Sequence, residues 1–366
     1  MADTVLERQP ETESEAALTV VDCDIHPGFT TKDEILGYLP QKYRDYARDF
    51  GVRPPNSITG ALAYPRMGLG MRQDAFPPGG GAAASDLDFM REQHLDPLNI
   101  EIGILQSLSA GPSLMDLDFS AAYCAAMNDW QIDKWCSKED RLRGTMVLPQ
   151  EDTPAAVREL EERAGDKRFC QVGFVPRGME PSGRRRYWPI FEAAEAHGMP
   201  VAMHTAPFGW RENTGGGNAS FYIEEHYAVS NAIQSSLISL IFEGVFERFP
   251  NLKLVLVEGG FAWLVPLMWR MDREWERMRD EVPHVKQKPS EYVRRQVWLT
   301  TQPVEEPPRV ADMKHLIRWL GADKLMFSSD YPHWDFDDPT RAFKIGLKPE
   351  EKQAILRDNA RAVYGF

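Results

Sequence analysis

From residue 86 to the C-terminus the chain repeats one unit, a short apolar run followed by a stretch with helical spacing. The apolar runs fall at 100–105, 142–148, 170–175, 200–204, 252–258, 297–301 and 324–330. The stretches 119–136, 153–164, 188–197, 228–249, 263–280, 310–320 and 348–364 carry the periodicity of helices. An eighth run, Val20-Val21-Asp22-Cys23-Asp24-Ile25, comes earlier. Alternating strands and helices imply a parallel sheet, because a parallel neighbour is reached only through a crossover. Eight such units predict an α/β chain closed into a (β/α)8 TIM barrel. A doubly wound open sheet is the alternative, but no G-x-G-x-x-G follows a strand, which counts against a dinucleotide fold.

Residues 1–17 are polar and Glu-rich and read as a flexible tail, leaving 18–366 as a single barrel domain. Two long loops interrupt the rhythm. The one after strand 1 (51–85) is rich in Pro and Gly and holds Arg66 and Arg72, which are either solvated charges or clamps on an anionic substrate. The one after strand 5 (208–221) places Trp210 and Phe221 around Gly215-Gly216-Gly217, either a hinged lid over an apolar substrate or an ordinary surface loop. A net charge of −13 argues against nucleic acid or an anionic membrane as partner, leaving a small-molecule substrate. Four scattered cysteines make no disulfide framework and read as buried thiols. No run approaches a membrane span, and no signal peptide shows at the N-terminus, so the expected address is cytoplasmic.

In barrels of this class chemistry sits where the strands end. Four runs end in metal-ligand residues: Asp24 and His26, then His204, then Glu258, then Asp330. One histidine after an apolar strand is more often a hydrogen-bonded core group, and one aspartate more often a helix cap. Their joint occurrence is what predicts a metal site. Strict alternation puts Asp22, Asp24 and His26 on one face of strand 1, His204 on the face of Ala202, Glu258 on that of Leu256 and Asp330 on that of Ser328. His226 is a candidate acid/base or oxyanion donor; His333 and Trp334, in the loop after Asp330, are candidate pocket residues. His94, His197, His284 and His315 lie away from strand tips and receive no role.

Asp24-x-His26, His204 and Phe327-Ser328-Ser329-Asp330-Tyr331-Pro332-His333 together resemble the amidohydrolase-related family, in the branch of aminocarboxymuconate-semialdehyde decarboxylase and related decarboxylases and hydrolases. Phe246-Glu247-Arg248-Phe249-Pro250-Asn251-Leu252 resembles the same family. The resemblance implies a (β/α)8 barrel with one or two divalent metals held by Asp24, His26, His204 and Asp330, and it favours a homodimer. Zinc is the first expectation, with iron or manganese as alternatives.

The chain departs from the branch at two places. Its opening pair is Asp-x-His rather than His-x-His or Glu-x-His, and Glu258 stands where decarboxylase-like members have His before Gly-Gly. Three carboxylates around one dication leave a net negative cluster that repels a substrate carboxylate. Two dications leave it positive, with a bridging hydroxide as nucleophile. The expectation is therefore a metal-dependent hydrolase of an amide, ester or thioester. In it Asp330 is the proton shuttle and Glu258 a second-metal ligand or water-orienting group. A non-oxidative decarboxylase of an aromatic or enoic acid is the alternative, and a non-catalytic ligand-binding barrel the second alternative.

Overall fold

A computed structural model of the chain describes residues 19–54, 56–57, 70–205, 208–212, 214–217, 219–228, 230–343 and 346–366. Arg66 and the 1–17 tail lie outside the described residues. Eight parallel strands follow one another around the sheet: β1 (Val20–Ile25), β2 (Ile100–Leu105), β3 (Leu142–Met146), β4 (Phe169–Phe174), β5 (Val201–His204), β6 (Leu254–Val257), β7 (Val297–Thr300) and β8 (Leu325–Met326). Beyond β8 the chain closes the ring onto β1. Cys23 N donates to Phe327 O (3.0 Å), Asp330 N to Asp24 O (3.1 Å) and His26 N to Tyr331 O (2.7 Å). The (β/α)8 barrel is thus the architecture.

The strands read as nearly continuous apolar runs because both faces are covered. Val20, Ile100, Val172, Met203, Leu256 and Leu299 pack into the large cluster beneath the helices. Val21, Cys23, Ile104, Cys170, Ala202, Val255 and Met326 form a second cluster inside the ring, against Ala360 and Val363 of the C-terminal helix Asn359–Tyr364. All four cysteines are free and buried. Aspartate caps start several helices: the side chain of Asp116 accepts from Phe119 N and that of Asp152 from Ala155 N.

Two helix expectations change. The helix predicted over 119–136 runs as Leu117–Gln131 and then widens into a π turn, Ile132–Cys136. The helix predicted over 228–249 is two helices, Ser230–Phe242 and Val245–Arg248. Gly244 between them adopts φ 86°, a left-handed conformation that ends a helix and suits glycine. The two long loops meet over the mouth, where Asn56–Ser57 pairs antiparallel with Phe208–Gly209. The end of the first loop is anchored there too: Arg72 N donates to Pro332 O and Gly28 N to Ala84 O, both at 2.8 Å. No helix among the described residues is long and apolar enough to cross a membrane.

Candidate metal centre

The polar residues at the strand ends converge. Asp24, His26, His204 and Glu258 each offer a ligand atom within 4.8 Å of the others, and so do His26, Glu258, Asp330 and His333. His26 Nε2 lies 3.2 Å from Asp24 Oδ1 and 2.9 Å from Asp330 Oδ1. His204 Nε2 lies 3.0 Å from Glu258 Oε2 and 3.5 Å from Asp24 Oδ1. Two of these placements defeat simple alternation. Asp24 reaches the mouth because the β1 register slips between Asp22 and Ile25, so Asp22 does not share its face as predicted. Glu258 follows Val257 of the inner cluster, while Leu256, its predicted face-mate, packs outside. A left-handed backbone at Glu258 (φ 52°) turns the carboxylate back inward, and Asp330 (φ 62°) makes a similar turn. Non-glycine residues rarely adopt this region, and such strain gathers where side chains must be aimed.

The donor set fits a divalent cation. Asp24 is fully buried, yet neither carboxylate oxygen makes a hydrogen bond of good geometry despite the imidazoles close by, and neither ring nitrogen of His204 makes one either. Buried polar atoms left this way are costly unless something absent satisfies them. His26 is oriented for coordination: its Nδ1 donates to Gln106 O (2.9 Å), which leaves Nε2, facing the cluster, as the nitrogen that can ligate an ion. Burial alone would discharge His204, but Asp24 and then Glu258 hold its pKa well above the histidine value. His333, part-buried, is pushed up to about 9 by Asp330 (Nδ1 to Oδ1, 2.5 Å) and by Glu258. The field of the carboxylates demands positive charge, and a metal ion supplies it more compactly than protons do.

His333 therefore belongs to the cluster itself and not only to the pocket wall expected for it. Trp334 stands at the rim, 55% exposed, its Nε1 donating to Tyr222 Oη at 2.8 Å. His226 lies on the short helix Tyr222–Ala228, its ring 5.6 Å from that of Trp334 and its Nε2 3.1 Å from Asp335 Oδ2. Trp210 turns towards Pro112, whose carbonyl accepts from its Nε1 at 3.4 Å. Arg72 is held by Asp74 (2.7 Å) and lies over the Phe336 ring, so it is not arranged as a clamp.

Several supporting groups escape a reading of strand ends. Gln302 Nε2 donates to Asp330 Oδ2 and to Asp335 Oδ2, both at 3.0 Å, joining the cluster to His226. Asp22, fully buried, accepts from Ser329 N (2.9 Å), Ser329 Oγ (2.6 Å) and Asp24 N (3.2 Å), and lies 2.8 Å from His94 Nε2. His94, left without a role by its position in the sequence, thus helps to brace β1 against the β8 loop. The one available signal was Asp22 itself, a third acidic or imidazole residue in the first run.

A ring of carboxylates and imidazoles at the C-terminal mouth of a (β/α)8 barrel defines a class of metal-dependent enzymes. The amidohydrolase family model matches residues 21–366, and the chain belongs to that family. The gamma-resorcylate decarboxylase of Polaromonas sp. (strain JS666) is 26% identical over 293 residues, covering 76% of this chain and 87% of that protein. Among solved structures, 5-carboxyvanillate decarboxylase from Novosphingobium aromaticivorans, with bound manganese, superposes with a TM-score of 0.71 at 20% identity, covering 98% of this chain and 100% of that one. Dihydroxybenzoic acid decarboxylase from Polaromonas sp. JS666, with manganese and an inhibitor, gives 0.66 at 20% identity, covering 95% and 97%.

The hydrolase expectation is overturned by these matches, since the curated relatives spanning most of the chain are decarboxylases. The charge count behind it was incomplete. It left out His333, which stands within ligand distance of Glu258 and Asp330 and whose imidazole these carboxylates push up to about 9, so that it brings a positive charge to their side.

Proposed function

We propose that this protein is a metal-dependent, non-oxidative decarboxylase of a hydroxylated aromatic acid, with manganese as its ion. The observation that carries this reading is the alignment of 76% of the chain with a gamma-resorcylate decarboxylase. Manganese is favoured over zinc because two structures of the same fold contain it and because carboxylates make up half of the ligand set. Asp24, His26, His204 and Asp330 would hold the ion, with Glu258 and His333 beside them. Bound there, a divalent cation supplies Lewis-acid stabilisation of negative charge on the substrate oxygens.

The reaction exchanges a ring C–CO2⁻ bond for a C–H bond. The electron pair of the broken bond stays on the ring carbon, CO2 departs, and one proton must arrive at that carbon. We assign the proton to His226. Its hydrogen bond to Asp335 raises its pKa against the effect of burial, and the more distant Glu258 and Asp330 add to the rise. A histidine above its ordinary value of about 6.5 stays charged further into the neutral range. The Gln302 amide fixes Asp335, and through it the His226 ring, relative to Asp330.

The test is direct. Manganese-loaded protein incubated with 2,6-dihydroxybenzoate and related hydroxybenzoates should release CO2 and the matching phenol in equal amounts. Silence across the panel, with metal bound, would overturn the reading. A second expectation concerns pH. Activity needs protonated His226, so it is lost as pH rises through that raised pKa. Asp335→Asn removes the main cause of the rise, so the alkaline limb of the kcat profile should move to lower pH. An unmoved limb would remove His226 from the role.

A further inference from the structure

Next to the ligand cluster, the tips of β2, β3 and β4 enclose a cleft. Leu108, Val147, Leu148, Phe174 and Val175 form its walls, and His204 of the ligand cluster also lines it. Such apolar walls suit a planar ring. Gln106 lines the same cleft and is only 4% exposed. Its backbone is fully used: the N–H donates to Ile25 O (2.8 Å) and the carbonyl accepts from His26 Nδ1 (2.9 Å). Its side chain is different, because the amide Nε2 is buried with no hydrogen-bond partner.

The unsatisfied atoms of Asp24 and His204 are ligand atoms, and a cation satisfies them. An amide nitrogen is a donor only and binds no cation, so the ion leaves Gln106 unsatisfied. What it lacks is an acceptor. The terminal torsion of a glutamine amide is broad, so the group can turn towards the cleft without moving the backbone that anchors His26. We infer that Gln106 is a specificity-determining residue whose amide takes a ring oxygen adjacent to the carboxylate that is lost, with the cleft seating the ring. This rests on the decarboxylase reading for its substrate class. A carboxylate drawn to the ion and a ring lying in the cleft leave the ortho substituent nearest to a side chain that begins beside His26.

Binding separates this claim from turnover. Calorimetry on manganese-loaded protein should show 2-hydroxybenzoate bound about tenfold more tightly than benzoate, the worth of one buried hydrogen bond. Gln106→Leu should bind both alike, at the wild-type strength for benzoate, with manganese content unchanged. If that variant does not fold, Gln106→Met, close to glutamine in length, takes its place. A hydroxyl preference that survives the substitution, or one missing from the wild type, overturns the assignment, as does loss of manganese in the variant. Preferential binding without CO2 release from any substrate would leave Gln106 in place and remove the decarboxylase. Turnover without a hydroxyl preference would do the reverse.

Discussion

Asp24→Ala is expected to strip the barrel mouth of its cation and to abolish turnover with it. Asp24 is the most committed member of the cluster. It is fully buried, neither oxygen makes a hydrogen bond of good geometry, and it faces His26 at 3.2 Å and His204 at 3.5 Å. Removing a charged ligand from such a site should weaken metal affinity by roughly a thousandfold, about 4 kcal/mol at 1.4 kcal/mol per decade. Groups that only orient ligands, such as Gln302, should cost about 10- to 100-fold. Elemental analysis of protein purified without chelator gives the metal-to-chain ratio directly. A variant that keeps its full metal content would show that the ion sits elsewhere. Without metal, the same variant should gain stability, since it no longer buries an unsatisfied carboxylate.

Asp22→Ala should act in the opposite way on the fold. This carboxylate ties Asp24 N on β1 to Ser329 on the β8 loop and pairs with buried His94, which stacks on Tyr331 at 4.5 Å. Removing the carboxylate leaves these buried donors without an acceptor, at about 1–3 kcal/mol each. Denaturant unfolding of the apo protein measures this free from metal linkage. Metal affinity should fall as well, because the spacing of Asp24 and Asp330 depends on the brace. A loss of stability below about 1 kcal/mol, the size of an average substitution, would show that the network is dispensable.

The two variants separate ligand from scaffold within a few residues of one strand. The sequence alone could not separate them, because Asp22 and Asp24 are the same residue type two positions apart. Period-two reasoning placed both on one face. It succeeded for His204, whose face-mate Ala202 lies in the inner cluster. It failed for Asp24 and Glu258, where a register slip and a left-handed residue re-aim the side chains. The slip lies within β1, before its last ladder pair Ile25–Leu105, and Glu258 comes just past the end of β6.

What the sequence determined by itself was the barrel and the identity of most of the cluster. Each strand and helix writes its own period into a short window, and ligand-type residues at strand ends are visible one at a time. What only the tertiary structure decided was the balance among them. Proximity of His333 to Glu258, the bridge of Gln302 to Asp335, and the unpartnered amide of Gln106 all depend on segments remote in the chain. Charge and hydrogen bonding act through distance in space, and a linear sequence does not contain that distance.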